Sequence, residues 1–393
     1  MAKGRKTSEA SASRSIESGA RLPKHQVVFD HLHTSILSGV YKPGDRLPSE
    51  AELGAQFDAS RITVAKAVLE LQRKGLVTRR PGAGTHVLAR QQPSGYSFGL
   101  LIPELGQTEI FDPICHGMMR SPFARPDALL WGNPSAAHET SHGHARSGAE
   151  VVEEAEHMAR YFIDQKVSGV FFAPVELVAD KDAANYRVMR ALDRAKIPTV
   201  LLDRCVMPYP ERSAHDLVGI DNARTSFAAT QHLIRLGATR FVFIGEQHAA
   251  PTVDARAAGF LEALRQHGIR PDVDPLWRGS PQDEAFVQEM LDRARPDAIV
   301  CANDVTAARL MQILLPKGIS IPGEVRIVGI DDVRYASLLP VPLTTMHQNC
   351  AEIGVIAMAT MLQRLEHPEL PTRDILLPTR LVVRRSCGAH LKV

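Results

Sequence analysis

The sequence predicts an α/β main body with two lobes, preceded by a small α+β domain. From Tyr96 onward, short apolar runs alternate with amphipathic helical segments, which is typical of parallel sheets covered on both faces. This alternation covers about 290 residues, more than one doubly wound sheet normally needs, so we expect two lobes with a cleft between them. The predicted domains are a disordered tail (1–22), the α+β domain (23–89), a linker (90–96) and the two-lobed domain (97–388).

The first domain begins with three predicted helices. Apolar residues four positions apart predict a helix over Lys24–Gly39. Ser49 and Glu52 have the spacing of a capping box, so a short helix is expected over Glu50–Phe57. A three-residue turn separates it from a helix over Arg61–Lys74, and two helices joined so closely are typical of a helix-turn-helix.

A hairpin and a linker complete this domain. Two strand-like stretches, Leu76–Arg80 and Thr85–Leu88, flank the turn composition of Pro81–Gly84. Such a hairpin after a helix-turn-helix is a wing. The polar, glycine- and proline-containing segment Gln91–Gly95 is the expected linker.

The main body contains eight predicted strands and the helices between them. The strands are Ser97–Ile102, Ala128–Trp131, Gly169–Ala173, Thr199–Asp203, Leu217–Ile220, Phe241–Gly245, Ala298–Cys301 and Arg326–Ile330. The helices include Val151–Asp164, Arg224–Leu236, Asp254–His267, Asp283–Arg293 and Asp304–Leu315. Because ligands of such folds bind beyond the carboxyl ends of the strands, we expect a ligand in the cleft.

Charge is distributed unevenly along the chain. The formal net charge is +2, but residues 1–90 hold 15 basic and 8 acidic side chains, and the remainder holds 31 and 36. A basic first domain on an acidic body favours a polyanionic partner for that domain, although a solvated basic tail is the alternative.

Several classes of protein are disfavoured. No apolar run reaches the roughly 18 residues of a membrane-spanning helix, and the N-terminus lacks the apolar core of an export signal, so we expect a cytoplasmic protein. Five isolated cysteines indicate reduced thiols. His138, His142 and His144 lack supporting ligands, so neither a metal nor a cofactor is expected. Nucleotide-binding and catalytic motifs are absent, which argues against an enzyme.

Two family resemblances follow from longer motifs. Lys42–Glu50 (KPGDRLPSE), Ala59–Val64 (ASRITV), Lys74–Arg79 (KGLVTR) and Gly82–Thr85 (GAGT) resemble the winged helix of GntR-type regulators. The main body resembles the effector domain of LacI/GalR-type regulators, which is periplasmic-binding-protein-like. Its motifs are GIDN (219–222), LIRLGATRFVFIG (233–245), RAAGF (256–260), PDAIVCAND (296–304), VGIDD (328–332), LTT (343–345) with Gln348, and LVVR (381–384). The combination resembles hybrid regulators of the arabinose-repressor type.

The resemblance implies a DNA contact surface on the first domain. An arginine at the start of a recognition helix can donate two hydrogen bonds to guanine, and Arg61 occupies that position. The candidate DNA-binding residues are Ser49, Ser60, Arg61, Thr63, Lys66, Arg79, Arg80, Gly82 and Gly84. Many relatives carry arginine where this chain has Ala51 or Ala65, so the operator sequence is not transferred.

A sugar site is implied for the main body. Side chains that exchange paired hydrogen bonds with hydroxyls suit such a ligand. The candidates, each expected at a loop or strand end, are Phe111, Asp112, Asp203, Arg204, Arg256, Asn303, Asp331 and Gln348. Alternatively, Asn303–Asp304 caps the following helix and Asp331–Asp332 caps a turn, with Asp304 and Asp332 favoured for such structural roles.

Together these features predict a homodimeric, ligand-responsive transcription regulator, with repression of carbohydrate genes as the family default. Its partners would be operator DNA and a small sugar-like effector that closes the two lobes. The alternatives are a sugar-binding or sugar-modifying protein with an accessory DNA-binding module, and a periplasmic solute-binding protein.

Overall fold

The structure, a computed structural model, describes residues 24–37, 41–42, 44–73, 76–80, 84–88, 95–103, 109–121, 128–131 and 147–391. The chain forms two compact units, Met1–Ser94 and Gly95–Val393. The predicted tail, most of the linker, Gly82 and the three clustered histidines lie outside the described residues. In the described part, no helix is both long and apolar enough to cross a membrane. The five cysteines are free thiols.

The first unit is a winged helix-turn-helix, as predicted. Its elements are α1 (Lys24–Leu37), α2 (Glu50–Gln56), α3 (Arg61–Arg73), β1 (Val77–Arg80) and β2 (Gly84–Val87). The strands pair in antiparallel register, with Val77 opposite Val87. Apolar residues of all five elements form one buried core, which holds α3 against α1 and β1.

The second unit contains two six-stranded sheets, one in each lobe. Its strands are β3 (Ser97–Leu101), β4 (Ala128–Trp131), β5 (Gly169–Phe172), β6 (Thr199–Leu202), β7 (Asp216–Ile220), β8 (Phe241–Gly245), β9 (Leu276–Arg278), β10 (Ala298–Cys301), β11 (Arg326–Asp331), β12 (Thr344–His347), β13 (Asp374–Leu377) and β14 (Arg380–Val382). The first sheet has the order β13-β7-β6-β5-β3-β4 and the second has the order β14-β12-β11-β10-β8-β9. Every pairing is parallel except that of the edge strand β14 with β12.

Helices cover both sheets. They are α4 (Phe111–Arg120), α5 (Gly148–Asp164), α6 (Lys181–Arg194), α7 (Asn222–Arg235), α8 (Pro251–Gln266), α9 (Glu284–Ala294), α10 (Asp304–Leu314) and α11 (Cys350–Glu366). All eight predicted strands are present with ends within one residue, and the five predicted helices with ends within three. The strands β9, β12, β13 and β14 were not predicted.

The chain passes between the lobes three times, after β7, β12 and β13. The first passage leads into α7 and the second into α11, which packs on α4 and the first sheet. The hydroxyls of Thr225 and Thr379 lie 2.9 Å apart and join the first and third passages. The carboxyl ends of strands from both sheets therefore meet where the chain crosses.

Candidate functional site

The N-termini of α2 and α3 are each fixed by a capping interaction. Ser49 Oγ accepts a hydrogen bond from the Glu52 backbone, and the Glu52 carboxylate accepts one from the Ser49 backbone, so the predicted capping box at the start of α2 is confirmed. At the start of α3, Ser60 Oγ accepts from Thr63 N at 3.2 Å and lies 2.8 Å from Thr63 Oγ1. Both helices of the motif therefore begin at a capped residue, and Arg61 is the first residue of α3.

Glu50 connects three elements of the first unit. One carboxylate oxygen accepts from Arg61 Nε at 3.1 Å, and the other pairs with Arg79 of β1. The Glu50 side chain is only 15% exposed, whereas that of Arg61 is 83% exposed. Since Glu50 is the first residue of α2, it positions both guanidinium groups relative to the helix-turn-helix.

Arg46 lies against the wing. Gly84 has φ +95°, a conformation that favours glycine, and a Cβ there would lie 2.6 Å from Arg46 Nε. The absence of that Cβ lets the Arg46 side chain cross the hairpin. Arg46, Arg61, Arg79 and the exposed Lys66 form what we call the arginine surface, and its chemistry suits phosphates and guanine edges. Of the remaining candidates, Gly82 and the Arg80 side chain are not in the part of the chain that the structure describes.

A second group of side chains lies at the carboxyl ends of the strands of both sheets. Five candidates are in it (Asp203, Arg204, Arg256, Asp331 and Gln348), together with two residues that were not among the candidates, Glu176 and Asn222. We call these seven residues the cleft cluster. They follow β5, β6, β7, β11 and β12, or lie in α8.

Arg256 is at the centre of the part of the cleft cluster that lies in the second lobe. Its Nε donates to Asn222 Oδ1 at 2.7 Å, and one terminal nitrogen donates to the Ala302 carbonyl at 2.6 Å. Its other terminal nitrogen lies 3.6 Å from Asp331 Oδ1, which also accepts from Gln348 Nε2 at 2.9 Å. The side chain is buried and belongs to the second turn of α8, so the prediction that it lies at a loop or strand end was wrong.

Arg204 contacts three side chains in the part of the cleft cluster that lies in the first lobe. It pairs with Glu176, lies 3.5 Å from Asp203 Oδ2, and stacks over Phe111 at 5.3 Å from the ring centroid. Glu176 also accepts a hydrogen bond from Ala250 N, at the start of α8 in the other lobe. A cavity of about 10 Å³ beside Phe111 and Arg204 has room for little more than one water.

The cluster keeps buried acceptors unused. Asp203 Oδ1 and Gln348 Oε1 are buried, and neither has a hydrogen-bond partner among the described residues. Asp203 and Asp331 have φ of +65° and +123°, conformations that non-glycine residues adopt mainly where function or surrounding structure imposes them. Burial raises the pKa of Asp331 to about 7, against the opposing effect of Arg256. Burial also raises the pKa of Asp203, against Arg204 and Arg256.

The other ligand candidates have different surroundings. Asn303 caps α10, because its Oδ1 accepts from the Thr306 backbone and hydroxyl at 2.8 Å, as in the capping alternative. Asp304 does not cap, since it accepts from Thr345 Oγ1 and Val333 N. Asp332 bonds His347 and Arg384 instead of capping a turn.

Phe111 and Asp112 begin α4, so the expectation that they lie in a loop was wrong. The Phe111 ring joins the cluster through its contact with Arg204, whereas Asp112 is exposed in the first turn. Sequence patterns gave no signal for Glu176, whereas Asn222 lies inside the quoted GIDN motif, which could have identified it. Arg46 and Glu50 lie inside the quoted KPGDRLPSE motif, which could have identified them.

Known proteins resemble both units. Residues 15–87 match the model of bacterial regulatory proteins of the gntR family, and residues 230–387 match that of a periplasmic binding protein-like domain. The chain is 28% identical over 377 residues to an arabinose metabolism transcriptional repressor of Geobacillus stearothermophilus, covering 93% of this chain and 98% of that protein. A repressor of the same name from Halalkalibacterium halodurans is 26% identical over 382 residues, covering 92% and 96%.

A solved structure shares the fold. A LacI family transcriptional regulator of Enterococcus faecium, with bound ribose, aligns with a TM-score of 0.57 and 22% identity, covering 74% of this chain and 98% of that one. The chain is thus a transcription regulator in which a gntR-family domain precedes a periplasmic binding protein-like domain.

Proposed function

We propose that this regulator is a repressor whose affinity for operator DNA is controlled by an uncharged, polyhydroxylated effector in the cleft. The observation that carries the proposal is a pair of buried acceptors in the cleft cluster, Asp203 Oδ1 and Gln348 Oε1, which have no hydrogen-bond partner within the part of the chain that the structure describes. A buried acceptor without a partner costs free energy, which a hydroxyl donor of the effector recovers.

Charge favours a neutral effector. The cluster contains three carboxylates, Glu176, Asp203 and Asp331, against two guanidinium groups, each of which already contacts a carboxylate. A phosphate or a sugar acid would bring further negative charge into this buried, acidic surrounding. A sugar instead offers hydroxyls that donate to the carboxylates and an apolar ring face, for which Phe111 lies close by. The arabinose and ribose named for the relatives are consistent with this chemistry.

The arginine surface binds the operator. Arg61 enters the major groove and donates to guanine, while Arg46, Lys66 and Arg79 contact backbone phosphates. One recognition helix contacts only a few base pairs, so two copies bind a two-fold symmetric operator with half-sites about 34 Å apart. Affinity for DNA therefore falls steeply with salt concentration.

Effector binding changes the closure of the lobes. The cavity beside Phe111 and Arg204 is too small for a sugar, and hydrogen bonds join the two lobes. Leu177 N donates to the His248 carbonyl at 2.8 Å, and Arg334 N donates to the Glu109 carboxylate at 3.1 Å. An effector that takes the place of such hydrogen bonds, including the one from Ala250 N to Glu176, would have different affinities for the open and closed states of the lobes. Ligand control of a conformational equilibrium requires this difference in affinity.

The test uses the full chain with a panel of neutral pentoses, hexoses and disaccharides, matched to their phosphates and acids. We expect a neutral sugar to raise the melting temperature, to be recovered unchanged, and to alter affinity for a DNA site selected from a random library. Stabilisation by the phosphates or acids alone would contradict the neutral effector. Turnover of the sugar, or DNA affinity unaffected by every stabilising sugar, would contradict ligand-controlled repression.

A further inference from the structure

The solvent face of α3 carries two exposed aliphatic side chains. Ile62 is 84% exposed and Leu69 is 47% exposed, and Ala65 lies between them on the same face. The opposite face holds Val64, Val68 and Leu71 in the core, so the outer residues are not required for packing. A branched aliphatic side chain so exposed at the start of a helix gains nothing from folding.

Ile62 lies beside two residues of the arginine surface, Arg61 and Lys66, which are on the same helix. It follows Arg61 directly, precedes Thr63, whose hydroxyl lies beside Ser60, and has Lys66 one turn further along. A surface that binds a polyanion is expected to be polar throughout. An aliphatic side chain at this point is useful only if the polyanion offers an apolar group there.

Double-stranded DNA offers one such group in the major groove, the 5-methyl group of thymine. We propose that Ile62 contacts a thymine 5-methyl group beside the guanine that Arg61 contacts, and that it is therefore a specificity-determining residue. The small side chain of Ala65, one turn along, leaves room for the base edge to approach the helix. This inference rests on the proposed binding of α3 in the major groove.

The experiment separates the methyl group from the rest of the base. The full-length chain is used to select binding sites from a random DNA library, and each thymine of the selected duplex is then replaced singly by uracil, which lacks only the methyl group. Dissociation constants are measured for the wild type and for Ile62→Ala, Ile62→Val and Leu69→Ala. Leu69 is a matched control because it is an exposed aliphatic residue of the same helix, about 10 Å further along.

In the wild type, we expect one thymine position in each half-site to be sensitive to the methyl group. Uracil at that position should weaken binding about fourfold, the factor that corresponds to one buried methyl group. Ile62→Ala should weaken binding to the thymine site and abolish the difference between thymine and uracil, because the two groups contact each other. Ile62→Val and Leu69→Ala should retain that difference.

Specific binding with no sensitivity to uracil, or sensitivity that persists in Ile62→Ala, would overturn the inference while leaving the proposed function intact. A different outcome is that Ile62→Ala changes the oligomeric state and leaves the uracil sensitivity unchanged. That result would mean that the exposed face of α3 contacts a second copy of the chain rather than thymine. Failure to select any sequence would overturn both proposals.

Discussion

The arginine surface and the cleft cluster use the same chemical pair in opposite environments. In the first unit, Arg61 is 83% exposed where it meets Glu50, whereas in the second unit the Arg204 side chain is 5% exposed where it meets Glu176. An exposed ion pair contributes little stability and exchanges readily for a phosphate or a base edge. A buried pair is costly to break, because each charge that loses its partner stays desolvated.

The two environments suit different tasks. In the proposed function, Glu50 positions two arginines at the surface without preventing their contact with DNA. In the cleft, the buried pairs fix the orientation of acceptors that the proposed effector would contact. Substitutions at the surface should therefore change DNA affinity and leave the fold intact, and substitutions in the cleft should change ligand binding and stability together.

The largest effect is expected for Arg61→Ala. Loss of a bidentate contact to guanine costs about 1–3 kcal/mol per half-site, so a symmetric site should be bound about a hundredfold more weakly or worse. Electrophoretic mobility or anisotropy measurements on the selected site test this. Arg224→Ala, which removes an arginine of similar exposure from α7, is the control and should bind normally. Normal binding by Arg61→Ala would show that the start of α3 does not contact DNA.

The next effect is expected for Asp331→Ala. It removes an acceptor from the cluster and leaves Arg256 and Gln348 without that partner, so sugar affinity should fall about a hundredfold. DNA affinity without sugar should be unchanged, because the arginine surface belongs to the other unit. Calorimetric titration measures the first and anisotropy the second, with the exposed Asp272→Ala as the matched carboxylate control. A retained sugar response in Asp331→Ala would refute the cleft assignment.

A smaller effect is expected for Glu50→Gln. The amide cannot pair electrostatically with Arg61 and Arg79, so their positions become less fixed while their charges remain. We expect affinity for the selected site to fall about tenfold and affinity for random DNA to be equal or higher, since a negative charge is lost from the surface. The ratio of the two affinities is the quantity to measure. An equal fall in both would indicate damage to the fold rather than loss of positioning.

The smallest effect concerns pH. The pKa of Asp331 in the folded chain is raised to about 7, whereas an unfolded aspartate titrates near 3.9, so between these values the folded state holds a proton that the unfolded state has released. Stability contributed by this group is therefore lost as pH rises through this window. From pH 6 to pH 8, the melting temperature should fall about 2–4 °C more in the wild type than in Asp331→Asn, which corresponds to about 1 kcal/mol. Parallel pH profiles of the two proteins would contradict a titrating Asp331.

Sequence patterns predicted the regular parts of this fold well, for a physical reason. Ser49 and Glu52 satisfy a local rule that needs only four consecutive residues, and the eight predicted strands were apolar because both of their faces are buried. The strand β12 was missed because two of its buried residues are threonines. Thr344 bonds the Arg384 backbone and Thr345 bonds Asp304, partners 40 or more residues away.

The cleft was predictable in part. Motif resemblance located Arg256, Asp331 and Gln348. Asp331 contacts each of the other two. Glu176 could not be located in this way, because its importance comes from pairing with Arg204 and from accepting the Ala250 amide of the other lobe. Such roles depend on distances that only the folded chain defines.

The three passages between the lobes bear on how the chain folds during its synthesis. The edge strand β13 and the helix α11 belong to the first lobe, yet they are encoded after almost the whole second lobe. The first lobe therefore cannot complete its sheet until residue 377 has left the ribosome, and the incomplete edge at β7 stays open until then. The winged helix has no such delay, since its core is contained in residues that emerge first. A nascent chain would gain the means to bind DNA well before it gains the means to respond to a ligand.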